Sequence, residues 1–353
     1  MSLSEDIHTF IAADTRDDAR FDSLARGLFE HQCASIPLVK ALAMRAGVTP
    51  SAVRHWRDIP AVPSAAFKAS TLFGGEASTR TFTSSGTSGA SKSQSVFSEA
   101  GLELMGLAVR VNASRWLFPD GRATRILVLA PSPRMAPHMI MAWGMAELIG
   151  EFGLEGSRFL IGPEGMDAKA VVTELMGAAQ DGVPITLIGA SFGFVHLLDG
   201  LAEAGIQIDS AKGSRTMDAG GYKGRSRELT RAELDNAITT HLGVPRERAV
   251  NLLGMTELAS QFYDGVLVQG GHTPRRKQNP PWTRTIAVAP DTLAPVAPGE
   301  RGLLVHVDLA NIERPAFVRT DDVGFVDGDG FHVLGRASGA DSRGCSLSVE
   351  ELV

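Results

Sequence analysis

The sequence predicts an α/β protein with parallel or mixed sheets flanked by helices, and three observations predict it. Short apolar runs suited to buried strands recur in the middle of the chain: Arg125-Ile126-Leu127-Val128-Leu129-Ala130, Pro184-Ile185-Thr186-Leu187-Ile188-Gly189 and Ala249-Val250-Asn251-Leu252-Leu253. Turn residues and helical stretches alternate with them, as in Pro131-Ser132-Pro133 followed by apolar residues 137–149. The N-terminal segment is helical throughout. Strand, turn and helix in alternation is the pattern of a parallel sheet covered on its faces.

Residues 4–34 read as two helices, because Phe21, Leu24, Ala25, Leu28 and Phe29 recur at helical spacing. Cys33 falls on this face and reads as a small buried hydrophobe rather than a nucleophile. A third helix is expected over 37–46, and another after Thr49-Pro50, where proline suits a first turn. Ile59-Pro60-Ala61-Val62-Pro63 must be extended, since a residue before proline is pushed out of the helical region. Helices are also expected over 99–117, over 137–149 with Gly150 closing it, and over 229–241. Asp327-Gly328-Asp329-Gly330 between apolar runs marks a hairpin turn.

A length of 353 residues allows one large domain or two ordinary ones. With 44% hydrophobic and 21% charged residues the chain has the composition of a globular protein with a sizeable core. A net charge of −6 with no basic stripe argues against a nucleic-acid partner. Cys33 and Cys345, the two cysteines, form neither a disulfide framework nor a zinc spacing. The acidic start is unlike a signal peptide, and no apolar run approaches the ~18 residues of a spanning helix. A cytoplasmic protein is therefore expected.

Two stretches carry chemistry. Thr83-Ser84-Ser85-Gly86-Thr87-Ser88-Gly89-Ala90-Ser91-Lys92 combines hydroxyls, glycines and one lysine, the components of a phosphate cradle. Its glycines are too close for the P-loop pattern, and a flexible Ser/Gly linker is the plain alternative. Gly189-Ala190-Ser191-Phe192-Gly193 fits G-x-S-x-G between a strand and a helix, the setting of a hydrolase nucleophile elbow with Ser191 as nucleophile. No His-Gly-Gly oxyanion segment precedes it.

Ser84 to Lys92 also resembles the phosphate loop of the adenylate-forming superfamily (acyl-CoA synthetases, luciferases and their relatives), with Ser91 where those enzymes carry proline. Two further segments extend the resemblance. Gly254-Met255-Thr256-Glu257 is similar to the superfamily's Tyr-Gly-x-Thr-Glu signature, with Leu253 before it where an aromatic stacks on adenine. Arg319-Thr320-Asp321-Asp322-Val323-Gly324, followed by Gly335-Arg336, resembles Thr-Gly-Asp-x-Gly, with Asp321 in the glycine position. The helical N-terminus, the Ile-Pro-x-x-Pro stretch and Phe67-Lys68 resemble the LuxE-like acyl-protein synthetases in particular.

The resemblance implies ATP and Mg²⁺ as cofactors. Ser85, Gly86, Thr87, Ser88, Gly89 and Lys92 would cradle phosphates. Gly220, Gly221 and Tyr222 would lie along the nucleotide, Tyr222 taking the stacking role. Gly254 and Met255 would border it, Thr256 would donate to the α-phosphate, and Glu257 would offer the carboxylate that a hard cation prefers. Asp322 would accept both ribose hydroxyls, and Arg336 would touch ribose or phosphate. His138, Ser191 and Phe192 would line an acyl pocket.

The expected organisation is an adenylating core over 1–334 and a hinge-like tail over 335–353 carrying Cys345, in place of most or all of the superfamily's C-terminal domain. Arg343 beside Cys345 would raise its thiolate fraction, and LuxE-like ligases are self-acylated on a cysteine near the C-terminus. The implied function is ATP-dependent activation of a carboxylic acid to acyl-AMP. Methionine-rich, aliphatic residues 135–149 suggest a fatty acid. Acyl transfer to Cys345 would follow, for delivery to a reductase or acyltransferase partner. Alternatives are a ligase releasing its product to coenzyme A or a carrier, a catalytically lapsed nucleotide- or acyl-binding subunit, and an α/β-hydrolase using Ser191.

Overall fold

Ser2 starts the first helix, α1 (Leu3–Ala13), through a reciprocal cap: its hydroxyl accepts from the Glu5 amide and its own amide donates to the Glu5 carboxylate. Asp17 caps α2 (Asp18–Ser35) by accepting from the Arg20 amide at 2.9 Å. Pro37 fills the first turn of α3 (Pro37–Arg45). Phe21, Leu24, Ala25, Leu28 and Phe29 are all buried, as their spacing predicts. The helix expected after Thr49-Pro50 does not form: 50–52 make a turn, and a single 3₁₀ turn follows at Trp56–Asp58. Pro60 and Pro63 leave no room for propagation, and Asp22 takes the Trp56 amide at 2.8 Å.

The chain, for which this computed structural model describes residues 2–84, 92–221, 226–270 and 275–337, continues through β1 (Val62–Pro63), α4 (Ala66–Ala69), β2 (Arg80–Thr83), β3 (Gln94–Phe97) and α5 (Glu99–Trp116). Then come β4 (Arg125–Pro131), α6 (Ile140–Phe152), β5 (Arg158–Gly162), β6 (Gly165–Met166), α7 (Ala168–Gln180), β7 (Ile185–Ala190), α8 (Ser191–Glu203), β8 (Arg215–Ala219) and α9 (Arg231–Leu242). The last elements are β9 (Ala249–Leu253), β10 (Phe262–Tyr263), α10 (Val266–Gln269), β11 (Lys277–Gln278), β12 (Thr283–Val288), β13 (Gly302–Asp308), β14 (Phe317–Asp327) and β15 (Gly330–Arg336). Helix α6 begins later than expected, after Pro133 and Pro137, and runs past Gly150 to a cap at Gly153, where a side chain would collide with the Ile149 carbonyl. None of the described helices is long and apolar enough to cross a membrane.

Two units emerge: Met1–Val111 with Met255–Gln261 and Arg276–Val353, and Asn112–Gly254 with Phe262–Arg275. The core expected over 1–334 thus comprises both. Its expected end falls inside β15, because Arg336 still pairs with Asp322 of β14.

The second unit is a seven-stranded sheet ordered β10-β9-β8-β7-β4-β5-β6. Strands β9, β8, β7, β4 and β5 are parallel, and β10 and β6 pair antiparallel at the edges. From β4 the chain proceeds to β5 on one side and returns to β7 on the other, so the switch point lies between β4 and β7. In open α/β sheets ligands bind outside the carboxyl ends of strands at such a point. One apolar cluster, including Leu129, Leu187, Phe194, Leu198, Leu234 and Ile238, packs the sheet against its helices.

The first unit contains a sheet ordered β11-β15-β14-β13-β12, in which β1 pairs parallel with Val318 and Arg319 of β14. Strands β2 and β3 form a separate antiparallel hairpin. The connection from β13 to β14 is held from α2: the buried Gln32 amide donates to Asn311 O at 2.7 Å and to Arg314 O at 2.5 Å, and its oxygen accepts from Ala316 N.

Candidate active site

Within the first unit, hairpin β2–β3 carries the phosphate-loop stretch. Beyond the paired strands, Ser84 N donates to Ser93 O at 2.9 Å, and Ser93 N donates to Ser84 Oγ at 3.0 Å. Lys92 stands exposed at the foot of β3. Ser85, Gly86, Thr87, Ser88 and Gly89 lie outside the described residues, as do Tyr222 and Cys345. Three residues beyond Lys92, the buried Ser95 hydroxyl donates to Thr256 O at 2.6 Å. The strand that leaves the glycine–hydroxyl loop is therefore joined to Thr256-Glu257, 161 residues on.

Thr256 is buried and Glu257 half-buried, in a turn rather than at a helix N-terminus. The backbone of this turn is gripped from the end of β13. Asn311 Nδ2 donates to Glu257 O at 2.8 Å, and Asn311 Oδ1 accepts from Ala259 N at 2.9 Å. Asp308 accepts from Ala259 N, Ser260 N and the Ser260 hydroxyl, at 2.8–3.0 Å. Burial pushes the Asp308 carboxyl above the usual carboxylate range, against the pull of those donors. Arg314, also buried, lies 3.5 Å from the Phe97 ring centre, donates to Asn311 Oδ1, and is pushed down to about 9 by burial. Neither Asp308 nor Asn311 was visible as a site residue in the sequence; the one hint was polar side chains bracketing the short connection after a strand.

Asp322 and Arg336 also belong to this unit, on neighbouring strands. The guanidinium Nε lies 3.5 Å from Asp322 Oδ1. Burial raises the Asp322 pKa, Arg336 opposes the rise and Asp321 adds to it. Strand alternation turns Asp321 to the opposite face.

In the second unit the predicted residues gather at the carboxyl ends of parallel strands. His138 follows β4 and is exposed, Ser191 follows β7, Gly220 and Gly221 follow β8, and Gly254 follows β9. Gly220 has φ +74, a left-handed turn that favours glycine, with open space before it and before Gly221. Ser191 Oγ donates to Asp218 Oδ2 at 2.8 Å and to Gly220 O at 3.0 Å. Asn251 Nδ2 and Arg231 donate to the same carboxylate. The buried Asp218 thus ties three strand ends together. Ser191 is a strut in this arrangement. Its hydroxyl is committed to a carboxylate and a carbonyl, and its φ is not positive, so the strained elbow of a hydrolase nucleophile is absent. Ser191 therefore corrects the hydrolase alternative. Its one hydroxyl hydrogen is engaged, which leaves only the oxygen's lone pairs to accept, whereas Phe192 beside it is half-buried.

No cluster of three or more His, Cys, Asp or Glu side chains able to cage a metal occurs among the described residues. The half-buried Glu257 carboxylate fits Mg²⁺ in a different way, as a single protein ligand to an ion that arrives on substrate phosphates.

Residues 48–353 match the family described as Acyl-protein synthetase, LuxE. The chain belongs to this family. Among relatives of this LuxE-family chain, the long-chain-fatty-acid–luciferin-component ligase of Vibrio harveyi is 26% identical over 346 residues, covering 93% of this chain and 86% of that protein. The ligase of the same name from Aliivibrio fischeri is 27% identical over 209 residues, 56% of this chain, and the match spans only 53% of that relative. Solved structures of similar fold include an open 2-hydroxyisobutyryl-CoA ligase in complex with 2-HIB-AMP and CoA (TM-score 0.64, 15% identity, 90% of this chain and 75% of that one). ATP-bound MatB from Rhodopseudomonas palustris is another (TM-score 0.53, 15% identity, 73% of this chain and 48% of that one). These likenesses show that the LuxE-family chain has the α/β fold of adenylate-forming ligases.

Proposed function

We propose that this chain activates a long-chain fatty acid with ATP and then carries the acyl group on Cys345. The acid's carboxylate oxygen attacks the α-phosphorus, pyrophosphate leaves, and acyl-AMP results. The Cys345 thiolate then attacks the acyl carbon and AMP leaves, giving a thioester for a reductase or acyltransferase partner. Lys92 and the hydroxyl loop bind phosphates, Thr256 donates to the α-phosphate, and Asp322 with Arg336 holds the ribose. Mg²⁺, when bound with ATP, offsets phosphate charge, and Glu257 is the residue that would hold it.

The observation that carries this reading is the hydrogen bond from Ser95 to Thr256 O. It fastens the hairpin bearing the phosphate-binding stretch to the segment bearing Thr256 and Glu257. The names of the Vibrio harveyi and Aliivibrio fischeri relatives support a long-chain acid as substrate. Fatty-acid-dependent exchange of labelled pyrophosphate into ATP tests the first step, and its absence across a panel of acids would refute it. Label from the acid that stays on the protein after acid precipitation, and is lost in Cys345→Ala, tests the second. Retention of label in that variant would leave a ligase that uses another acceptor.

A further inference from the structure

We propose that Asn311, seconded by Ser95, is a positioning residue that aims the Glu257 carboxylate at the metal of bound Mg·ATP. This rests on the ATP-dependent reading above and adds to it a residue outside the recognised motifs. Asn311 is fully buried and every valence of its amide is used. Nδ2 donates to Glu257 O at 2.8 Å and to Pro315 O at 2.9 Å. Oδ1 accepts from Ala259 N at 2.9 Å and from Arg314. The amide cannot be flipped without opposing a donor to a donor and an acceptor to an acceptor, so its orientation is fixed.

What it grips is the peptide backbone on both sides of one turn. The carbonyls of Thr256, held by Ser95, and of Glu257, held by Asn311, bracket the residue whose side chain would meet the ion, and the Ala259 amide fixes the next step of the chain. Ser95 holds the preceding carbonyl, Thr256 O, at 2.6 Å, and Asp308 holds the Ala259 and Ser260 amides. Among the described residues the Glu257 carboxylate itself has no hydrogen-bond or ion-pair partner. A backbone fixed at each step beneath an uncommitted, half-buried carboxylate is the arrangement by which an outer shell orients a ligand-binding group. If the turn needed only to be stable, the side chain it presents would not have to be left without a protein partner.

The test uses the full chain and Asn311→Asp, which keeps shape but sets an acceptor against Glu257 O and Pro315 O. The probe is Mn²⁺ with ATP, followed by electron paramagnetic resonance, beside ATP binding in EDTA and the thermal midpoint. The expected result is Mn·ATP binding weakened about 10- to 100-fold, the usual effect of losing an outer-shell partner, with metal-free ATP binding unchanged. In a Glu257→Gln background, Asn311→Asp should add no further loss. Ser95→Ala reads the same segment should Asn311→Asp fold poorly, and is expected to shift Mn·ATP binding in the same direction by less. If Asn311→Asp, or Ser95→Ala in its place, retains the full wild-type gain from metal, the proposal is overturned while the ATP reading stands. If the wild-type chain binds ATP neither with Mn²⁺ nor in EDTA, the ATP reading fails and the proposal with it; if it binds ATP equally in both, the proposal alone is overturned.

Discussion

Asp322 and Arg336 are register partners across β14 and β15, with Arg336 Nε 3.5 Å from Asp322 Oδ1. The pair is lopsided: the arginine side chain is 80% exposed and the aspartate 17%. An ion pair with one partner so exposed contributes at most about 1 kcal/mol to stability. Its place in the strand pair fits the ribose-holding role proposed above. Arg336→Ala should therefore leave the thermal midpoint nearly unchanged. Asp322→Asn should weaken ATP binding about 10- to 100-fold, the scale of losing hydrogen bonds of about 1.5–3 kcal/mol to a charged acceptor. Calorimetric titration of both variants with ATP checks this.

The raised pKa of Asp322 makes two opposite demands on pH. The folded chain holds this proton to a higher pH than the ordinary 3.8. Between those two values the folded state binds more protons than the unfolded one, so the residue's contribution to stability falls as pH rises through that window. The ribose binding proposed for Asp322 would run the other way, because only the ionised form accepts two hydroxyl hydrogens. ATP affinity should drop as pH falls through the raised pKa, and Asp322→Asn should remove that part of the profile. ATP binding measured over a series of acidic buffers in both proteins checks the sign.

Thr256, Glu257 and Asp322 stand out in the sequence because each sits in a short motif whose residue types are set by local chemistry, and the structure places Thr256 beside Ser95 and Asp322 opposite Arg336. Asn311 and Asp308 could not, since they act on Glu257, Ala259 and Ser260 through hydrogen bonds that span some fifty residues. Ser191 shows the converse. Gly189 to Gly193 spells a nucleophile elbow, but the letters do not specify the backbone angle that makes one, and Asp218 claims the hydroxyl. The helices α1 and α2 and strands β4, β7 and β9 were legible because periodicity and caps agree. The stretch after Thr49-Pro50 was not, because a contact from Asp22 and the prolines that follow override a favourable start.

Asp120 and Arg215 join the end of α5 to β8 within the second unit. Arg215 has no exposed surface, donates to both Asp120 oxygens at 3.1 and 2.9 Å and to Leu117 O at 2.6 Å, and lies over the Phe118 ring. Burial lowers the Arg215 pKa while Asp120 supports the charge. Removing the aspartate strands a buried cation, which typically costs about 3–5 kcal/mol. Asp120→Ala should lower the thermal midpoint by several degrees, and Asp120→Ala with Arg215→Met should recover much of it. Burial opposes ionisation of Asp120, but Arg215 prevails and its carboxyl is lowered below 3.8. Its stabilisation is present above 3.8 and lost as pH falls through the folded value, so Asp120→Ala should also flatten the acid limb of the unfolding profile.

The pairing of Asp322 with Arg336 depends on an irregularity in β15. Register runs Val323↔Gly335 and then Gly324↔Val333, so Leu334 is an extra residue without a partner. In a regular ladder continuing from Gly324↔Val333, Asp322 would face Gly335, and the Arg336 side chain would turn to the other face of the sheet. Two glycines permit the bulge. Gly335 has φ +149, a conformation that side chains resist, and Gly324 is so close to the opposite strand that a Cβ would collide with His332 O and meet Leu304 Cδ1 at 2.9 Å. Gly324→Ala should therefore cost about 1–3 kcal/mol through overpacking, seen as a lower thermal midpoint. Gly335→Ala has open space for its methyl, so its penalty is conformational and falls on the bulge itself. It should weaken ATP binding more than Arg336→Ala does, because it disturbs the aim of both partners rather than removing one. Equal ATP affinities for Gly335→Ala and the wild type would mean that the bulge serves strand packing alone.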